Sequence, residues 1–394
     1  MFLVIRDIIA PQKRGVTIMS KFLPLELLDG TSIRLREDRY AQTQEEIEKF
    51  LQGERHLHTK AFAKDVMFSH EISANNQVEG YADDASTVRK IIETRARKGT
   101  DHQSKRILNL YHGYNYILKE GNITKDNLRK LYSLLSEGLL EENDKERMGE
   151  YYRTDTVYIL RNGRLDIEMD EGIPAERIDE FMDAYFQFLN NTNFNSSITE
   201  EYIKSQILHF YFVYIHPYFD VNGRTSRTVA MWYLLNKKAY PYIIFNRGIT
   251  FKGSEYDDAI ADVKKFRDIS FFIDYMLKTV QGELEKEYIM QSIANCTNTR
   301  LTTSDWQTMH YLLSMKGLIT VSDFTSMYNR LNGPIRTKAA YESMILPLIS
   351  KGILEIERET SSYMFNDEHN KVLNFNPKVM DYNPEKIRRL VKYK

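Results

Sequence analysis

Residues 216–227 read "HPYFDVNGRTSR". The stretch joins two apolar runs, "ITEEYIKSQILHFYFVYI" (198–215) before it and "TVAMWYLLNKKAY" (228–240) after it. Both runs read as buried helices, because apolar side chains occupy every face at helical spacing. The stretch is therefore a loop between two core helices, and its second half opens a helix whose first N–H groups have no internal acceptor. Such a helix start attracts anions. Asn222 and Gly223 tolerate positive φ, which lets successive amides converge. Arg224 and Arg227 lie three apart on one helix face, a spacing suited to bidentate phosphate contacts. Asp220 offers a hard oxygen for Mg²⁺, which keeps only one or two protein carboxylates when phosphates fill its other positions. His216, closing the first helix, is placed to take a proton near neutral pH. Each residue has a plainer reading: a capping histidine, two solvated arginines, a simple Asn-Gly turn. Their conjunction within one loop favours a metal–nucleotide clamp with a general base beside it.

The rest of the chain sets the frame. With 394 residues it is too long for one core and implies two or three domains. A net charge of −1 gives no global attraction to nucleic acid or anionic membrane, so any basic patch must be local. A single cysteine, Cys296, excludes an internal disulfide framework and CxxC zinc sites and fits a cytoplasmic protein. The opening "MFLVIRDIIAPQKRG" is interrupted by Arg6 and Asp7, too early for a signal or membrane segment. Met19 offers an alternative start, which would leave residues 1–18 as a disordered extension.

Helical periodicity dominates, over 41–70, 85–97, 104–119 and, behind an N-cap at Thr124, the segment ending near Gly138. "TVYILRNGRLDIEM" (156–169) differs: β-branched and aromatic residues flank Asn162-Gly163, a hairpin signal. Pro174 then belongs to the first turn of a further helix. After the polar "NCTNTRLTTS", helices over 304–315, 321–331 and 337–350 followed by "GILEIERETSSYMFN" suggest a winged helix-turn-helix, with Pro347 expected to kink its third helix. The expected organisation is an N-terminal extension (1–40, partly flexible), N-terminal helices (41–100), a catalytic core (101–290), a winged-helix-like domain (300–366) and a tail (367–394). The expected fold class is mainly α, a helical bundle with a small β-hairpin flap followed by the winged helix. His56 and His58 have no third ligand near in sequence. The basic tail "KIRRLVKYK" is suited to DNA or to solvent.

The 216–227 loop resembles the signature of the Fic family, His-Pro-Phe-x-Asp/Glu-Gly-Asn-Gly-Arg-x-x-Arg. "SQILHFYFVYIHPY", "GEYYRTDTVYI", "SEYDDAI" and "DISFFIDYML" extend the likeness over about residues 45–285. The resemblance implies transfer of AMP from ATP to a Tyr, Thr or Ser hydroxyl of a target protein. His216 would be the base and Asp220 the Mg²⁺ ligand. Val221, Asn222, Gly223, Arg224, Thr225, Ser226, Arg227 and Tyr256 would hold the nucleotide. The flap residues Val157, Tyr158, Ile159 and Leu160 would pin the target by β-augmentation. A homodimer and DNA binding by the winged helix are further partner expectations. Three residues depart from the pattern. Tyr218 replaces Phe and adds a hydroxyl that needs a partner if buried. Val221 replaces the first Gly, at roughly 1–2 kcal/mol if that position demands φ > 0. Lys264 lies near where many members carry an Asn close to the adenine.

"SANNQVEGY" (73–81) resembles the family's inhibitory Ser/Thr-x-x-x-Glu-Gly/Asn segment, with Asn75 where Ser or Thr is usual. The resemblance implies that Glu79 competes with phosphate for Arg227. The alternative is simply a helix ending with Gly80 as its first residue beyond the cap.

Overall fold

The structure, a computed structural model, describes residues 20–53, 64–94, 101–159, 170–192, 197–237, 246–250, 255–297, 299–315, 319–359 and 371–376. The chain begins with an antiparallel hairpin, β1 (Ser20–Glu26) and β2 (Ser32–Arg36). Helices α1 (Ala41–Gly53), α2 (Lys64–Val78), α3 (Ala85–Thr94), α4 (His102–Lys119), α5 (Lys125–Ser136) and the short α6 (Glu142–Glu146) follow. A two-residue ladder, β3 (Tyr158–Ile159) with β4 (Asp170–Glu171), precedes α7 (Ile178–Asn190), α8 (Ile198–Ile215) and α9 (Asn222–Asn236). Then come α10 (Arg247–Thr250), α11 (Glu255–Phe266) and α12 (Ser270–Cys296). The C-terminal part holds α13 (Thr303–Ser314), β5 (Ile319–Thr320), α14 (Val321–Asn332), α15 (Thr337–Ala340), α16 (Leu346–Ser350), β6 (Leu354–Glu359) and β7 (Lys371–Phe375). The fold is mainly α. Among the described residues no helix is long and apolar enough to cross a membrane.

Two compact units emerge, the first from the described parts of 1–61, 95–245 and 252–281, the second from those of 62–94, 246–251 and 282–394. The division departs from the sequence expectation, in which 41–100 formed one N-terminal segment. The helices α2 and α3 pack with the C-terminal elements, a non-local choice that periodicity along the chain does not reveal.

In the first unit α8 is buried on every face, as its sequence demands, and packs against α9 and α7. Ser197 caps it, its hydroxyl accepting from Glu200 N at 3.2 Å. From residue 20 onward the N-terminal segment forms scaffold. Leu23, Leu25, Ile33 and Leu35 are buried on one face of the β1–β2 hairpin, and Asp29-Gly30 forms its turn with Gly30 at φ 76°. Tyr211 and Tyr214, on α8, tie the hairpin down: Tyr211 Oη donates to Glu26 O at 3.0 Å and Leu28 N to Tyr214 Oη at 2.7 Å. Thr124 caps α5 as expected, accepting from Asn127 N.

In the second unit the sheet order is β5-β7-β6, so its last strand lies beyond the expected boundary at 366. Leu354, Val372 and Leu373 turn inward, and a core of Met309, Leu312, Val321, Phe324, Ile345 and Leu348 binds α13, α14 and the later helices. The helix expected over 337–350 contains a π turn, Tyr341–Ile345, just before Pro347. Proline lacks an N–H and its ring would strike the carbonyl four residues back. The wider turn relieves that clash, and Pro347 falls in the first turn of α16, where a missing N–H is tolerated. The segments at 1–18, His56-x-His58, Leu160, Asn162-Gly163 and the basic tail lie outside the described residues.

Candidate active site

The loop between α8 and α9 leaves helical geometry at two left-handed residues, His216 (φ 53°) and Val221 (φ 65°). His216 closes α8, its N–H still donating to Phe212 O at 3.0 Å, and Pro217 prevents the helix from continuing. The ring nitrogen Nδ1 lies 3.3 Å from Val213 O. Carried on Nδ1, the proton faces that carbonyl and the lone pair resides on Nε2.

A residue outside the motif secures this corner. Arg153, almost fully buried, donates from Nε to His216 O at 2.9 Å and from its other nitrogens to Asp155 O and Ile173 O. Its backbone N–H donates to Pro217 O at 3.0 Å. One guanidinium therefore ties the histidine loop to the chain on both sides of the flap. Burial lowers its pKa to about 10, which leaves it charged at neutral pH. Gly172 is the second unforeseen residue. A Cβ there would sit 2.7 Å from Arg153 Nη2, 2.8 Å from Val157 Cγ1 and 3.3 Å from His216 Cβ. Glycine at 172 is a requirement of close approach.

In the flap Val157 is buried, Tyr158 is 56% exposed and Ile159 is half-buried. The antiparallel pairing of β3 with β4 agrees with the expected hairpin flap, and its register sets Tyr158 opposite Glu171 and Ile159 opposite Asp170.

Asp220 is 56% exposed at its side chain; its Oδ1 accepts from Val221 N at 2.6 Å and its Oδ2 lies 3.7 Å from Arg224 Nη2. No group of three or more His, Cys, Asp or Glu side chains occurs among the described residues, so no all-protein metal cage is present there. One accessible carboxylate beside an anion site fits a Mg²⁺ ion whose other ligands are phosphate oxygens and water. Val221, buried and β-branched, occupies the left-handed region that glycine would enter freely, at roughly 1–2 kcal/mol. Asn222 holds the loop through a reciprocal pair with Tyr218: its Oδ1 accepts from Tyr218 N (3.0 Å) and its Nδ2 donates to Tyr218 O (2.8 Å).

No side chain caps α9. The first N–H to find an acceptor is that of Thr225, on Val221 O at 2.9 Å; those of Asn222, Gly223 and Arg224 have none among the described residues. Arg224 is buried to 3% exposure, yet its Nε and Nη1 have no hydrogen-bond partner among those residues. Buried guanidinium N–H groups are normally satisfied, and these two lie beside the uncapped start of α9. Thr225 and Ser226 are turned inward on their own helix, their hydroxyls donating to Val221 O (2.7 Å) and Gly223 O (2.8 Å). Arg227, one turn on, is buried.

Tyr256, on α11, is joined to α8 through His209: Tyr256 Oη lies 2.8 Å from His209 Nε2, and His209 Nδ1 lies 3.3 Å from Gln206 Oε1. Burial, and then the nearby Arg227 charge, lower the His209 pKa to about 3. The ring is therefore neutral, and the tyrosine hydroxyl donates to it. Lys264 Nζ lies 5.8 Å from the centre of the Tyr214 ring. Tyr218 is fully buried and stacks on Tyr132, ring centres 3.6 Å apart at 12°. Its hydroxyl has no partner among the described residues, and burial pushes the phenol well above its usual range.

His216, Asp220, Val221–Arg227, Tyr256 and the described flap residues all belong to the first unit; Glu79 and Gly80 belong to the second. There Gly80 (φ 83°) closes α2, with Gly80 N donating to Gln77 O at 3.0 Å and Tyr81 N to Asn76 O at 3.1 Å, a Schellman pattern. Glu79 is exposed.

Residues 122–234 match the model of the Fic/DOC family. This segment is a Fic/DOC family domain. Among solved structures, a Fic family protein from Desulfovibrio desulfuricans G20 superposes with a TM-score of 0.51 at 19% identity, covering 86% of this chain and 94% of its own. At that identity the likeness bears on the fold alone. Fic-1 from C. elegans (TM-score 0.49, 13% identity, 64% and 73% coverage) and a Fic domain containing signaling protein from Bacteroides thetaiotaomicron VPI-5482 (0.47, 15%, 62% and 95%) superpose less well.

Proposed function

We propose that the protein is a nucleotidyltransferase that moves AMP from ATP to a Tyr, Thr or Ser hydroxyl of a target protein. The observation that carries this reading is Arg224: a buried guanidinium whose Nε and Nη1 have no partner among the described residues, beside the uncapped start of α9. Together they form a preorganised anion site, in which electrostatic stabilisation requires no rearrangement during reaction. His216 Nε2 takes the proton from the target hydroxyl as its oxygen bonds to the α-phosphorus, and pyrophosphate departs in line. Asp220 would hold Mg²⁺, which when bound neutralises charge on the α- and β-phosphates. The amides of Asn222 and Gly223 and the Arg224 side chain hold phosphate oxygens, and Arg227 holds the γ-phosphate. Tyr256, its hydroxyl committed to His209, offers only its ring to the base. The exposed Tyr158 strand is the docking edge for an extended target segment.

On this reading Glu79 is a brake that competes with the γ-phosphate for Arg227, and the C-terminal helices and sheet are a winged-helix module that engages a partner. A second reading, transfer of another phosphate-containing group, is favoured by one observation: the strained Val221 in the anion loop. The test incubates wild type, Glu79→Gly and Glu79→Gly/His216→Ala with Mg²⁺ and α- or γ-³²P-ATP, with labelled protein read on a gel. Label from the α position alone, in the single variant and not the double, is the expected result. Label from the γ position alone supports the second reading, and no label from either overturns both.

A further inference from the structure

We propose that the second unit sets the position of the Glu79 turn, acting through Gln77 and the end of α14. The consequence for catalysis rests on the braking role proposed above; the mechanical link stands on the contacts within this unit.

The helix α2 is buried along most of its length, yet largely by polar side chains: Ser69, Glu71, Ser73, Asn75 and Asn76 are all at or below 4% exposure. A helix held by apolar contact can slide with little penalty, because that attraction has no direction. One held by buried hydrogen bonds is either in register or released, since a half-satisfied network is costly. The bonds are explicit. Asn246 donates from Nδ2 to Glu71 Oε2 at 2.9 Å, Ser73 Oγ to Asp83 O at 2.6 Å, and Asn76 Nδ2 to Asp83 Oδ2 at 2.8 Å.

Gln77, two residues before Glu79, carries the connection outward. Its Nε2 lies 3.1 Å from Leu331 O and 3.3 Å from Asn332 Oδ1, both at the end of α14. The same nitrogen lies 3.2 Å from Asp83 O and 3.3 Å from Ser73 Oγ. Two hydrogens are thus shared among four acceptors, so a displacement of α14 redistributes them. Asn332 also accepts from Tyr311 Oη on α13 at 2.8 Å, and Gln307 Nε2 donates to that hydroxyl at 2.9 Å. A small polar cavity lined by Ser73, Ala74, Gln77, Gln307 and Tyr311, among others, lies between α2 and α13. From α3, Arg89 Nη1 donates to Thr303 Oγ1 at the start of α13 at 3.0 Å. The turn at Gly80 is therefore anchored to α13 and α14, the first two helices of the C-terminal module. A partner that shifts α14 changes the register of α2 and with it the placement of Glu79.

The test uses full-length Asn332→Ala, a substitution remote in sequence from Glu79. Hydrogen exchange at residues 76–81 should quicken by roughly five- to tenfold, the loss of one to two hydrogen bonds. α-³²P labelling should rise several-fold with Glu79 present and be unchanged in a Glu79→Gly background. Unaltered exchange at 76–81 would overturn the link. Faster exchange with an active Glu79→Gly protein but no gain in labelling from Asn332→Ala would overturn its regulatory consequence. Faster exchange with an inactive Glu79→Gly protein would sustain the link while the transferase reading fails. Should Met309–Leu312 also exchange faster, marking general loosening, Gln77→Met takes the place of Asn332→Ala with the same outcomes.

Discussion

The turn after α2 and the loop before α9 both pass through the left-handed region of backbone space, with opposite side chains. At the turn the residue is Gly80, and the Schellman bonds satisfy the last carbonyls of the helix. At the loop the residues are His216 and Val221, no side chain caps the next helix, and two nitrogens of a buried arginine have no partner among the described residues. The first arrangement is relaxed and complete. The second is strained, and on the proposed reading its donors are kept for a ligand: strain and unmet donors persist only where surrounding structure imposes them. Arg153 and Gly172 supply that imposition.

The comparison breaks most visibly at the histidine. In a Glu79→Gly background, His216→Ala should lower AMP transfer by about 10²–10⁴-fold while nucleotide affinity is retained, as single-turnover labelling and calorimetry would show. Equal losses in both would make His216 a structural residue. Next comes the imposed corner: Gly172→Ala places a methyl against Arg153, Val157 and His216 and should cost about 1–3 kcal/mol in denaturant unfolding. The relaxed turn should then resist substitution: Gly80→Val introduces left-handed strain and should destabilise by about 1–2 kcal/mol. An unchanged unfolding midpoint would refute the contrast. Tyr218→Phe removes the buried, unpartnered hydroxyl and should stabilise by about 1 kcal/mol, read from the same unfolding curves.

The smallest effect concerns the scaffold behind the loop. Lys204, buried on α8, donates from Nζ to Leu189 O at 2.9 Å and to Asn191 O at the end of α7. Burial, and then the Lys237 charge, lower its pKa to about 8. Because the unfolded lysine keeps its proton to higher pH, the unfolded chain binds more protons between the two values. Stability contributed by this group therefore rises as pH increases above about 8. Wild type should gain melting temperature relative to Lys204→Met between pH 7.5 and pH 9.5.

The loop that carries the proposed clamp was legible in sequence because its parts are contiguous: one loop holds the histidine, the carboxylate, the turn and both arginines, and the flanking helices announce themselves by unbroken apolarity. What escaped reading is non-local. Nothing adjacent to Arg153 or Gly172 signals that they meet at His216, though an arginine beside the flap strand in "GEYYRT" was a cue. The β1–β2 hairpin did leave a signal, alternating Leu23, Leu25 and Leu27, then Asp29-Gly30, then Ile33 and Leu35, with Pro24 arguing against a strand. Pro24 is tolerated in an edge strand of a two-stranded sheet. The π turn before Pro347 could not be read at all, since sequence gives the clash but not which relief the chain adopts.

The central claim, that the unmet donors of Arg224 await a polyphosphate, has a direct test. Binding of Mg²⁺–ATP would be measured calorimetrically for Glu79→Gly and for Glu79→Gly/Arg224→Met, each confirmed as folded by thermal melting. The expected result is a loss of about ten- to a hundredfold in affinity on removing the guanidinium, the worth of its charge-assisted hydrogen bonds. Equal affinities would contradict the account, leaving Arg224 a buried structural cation.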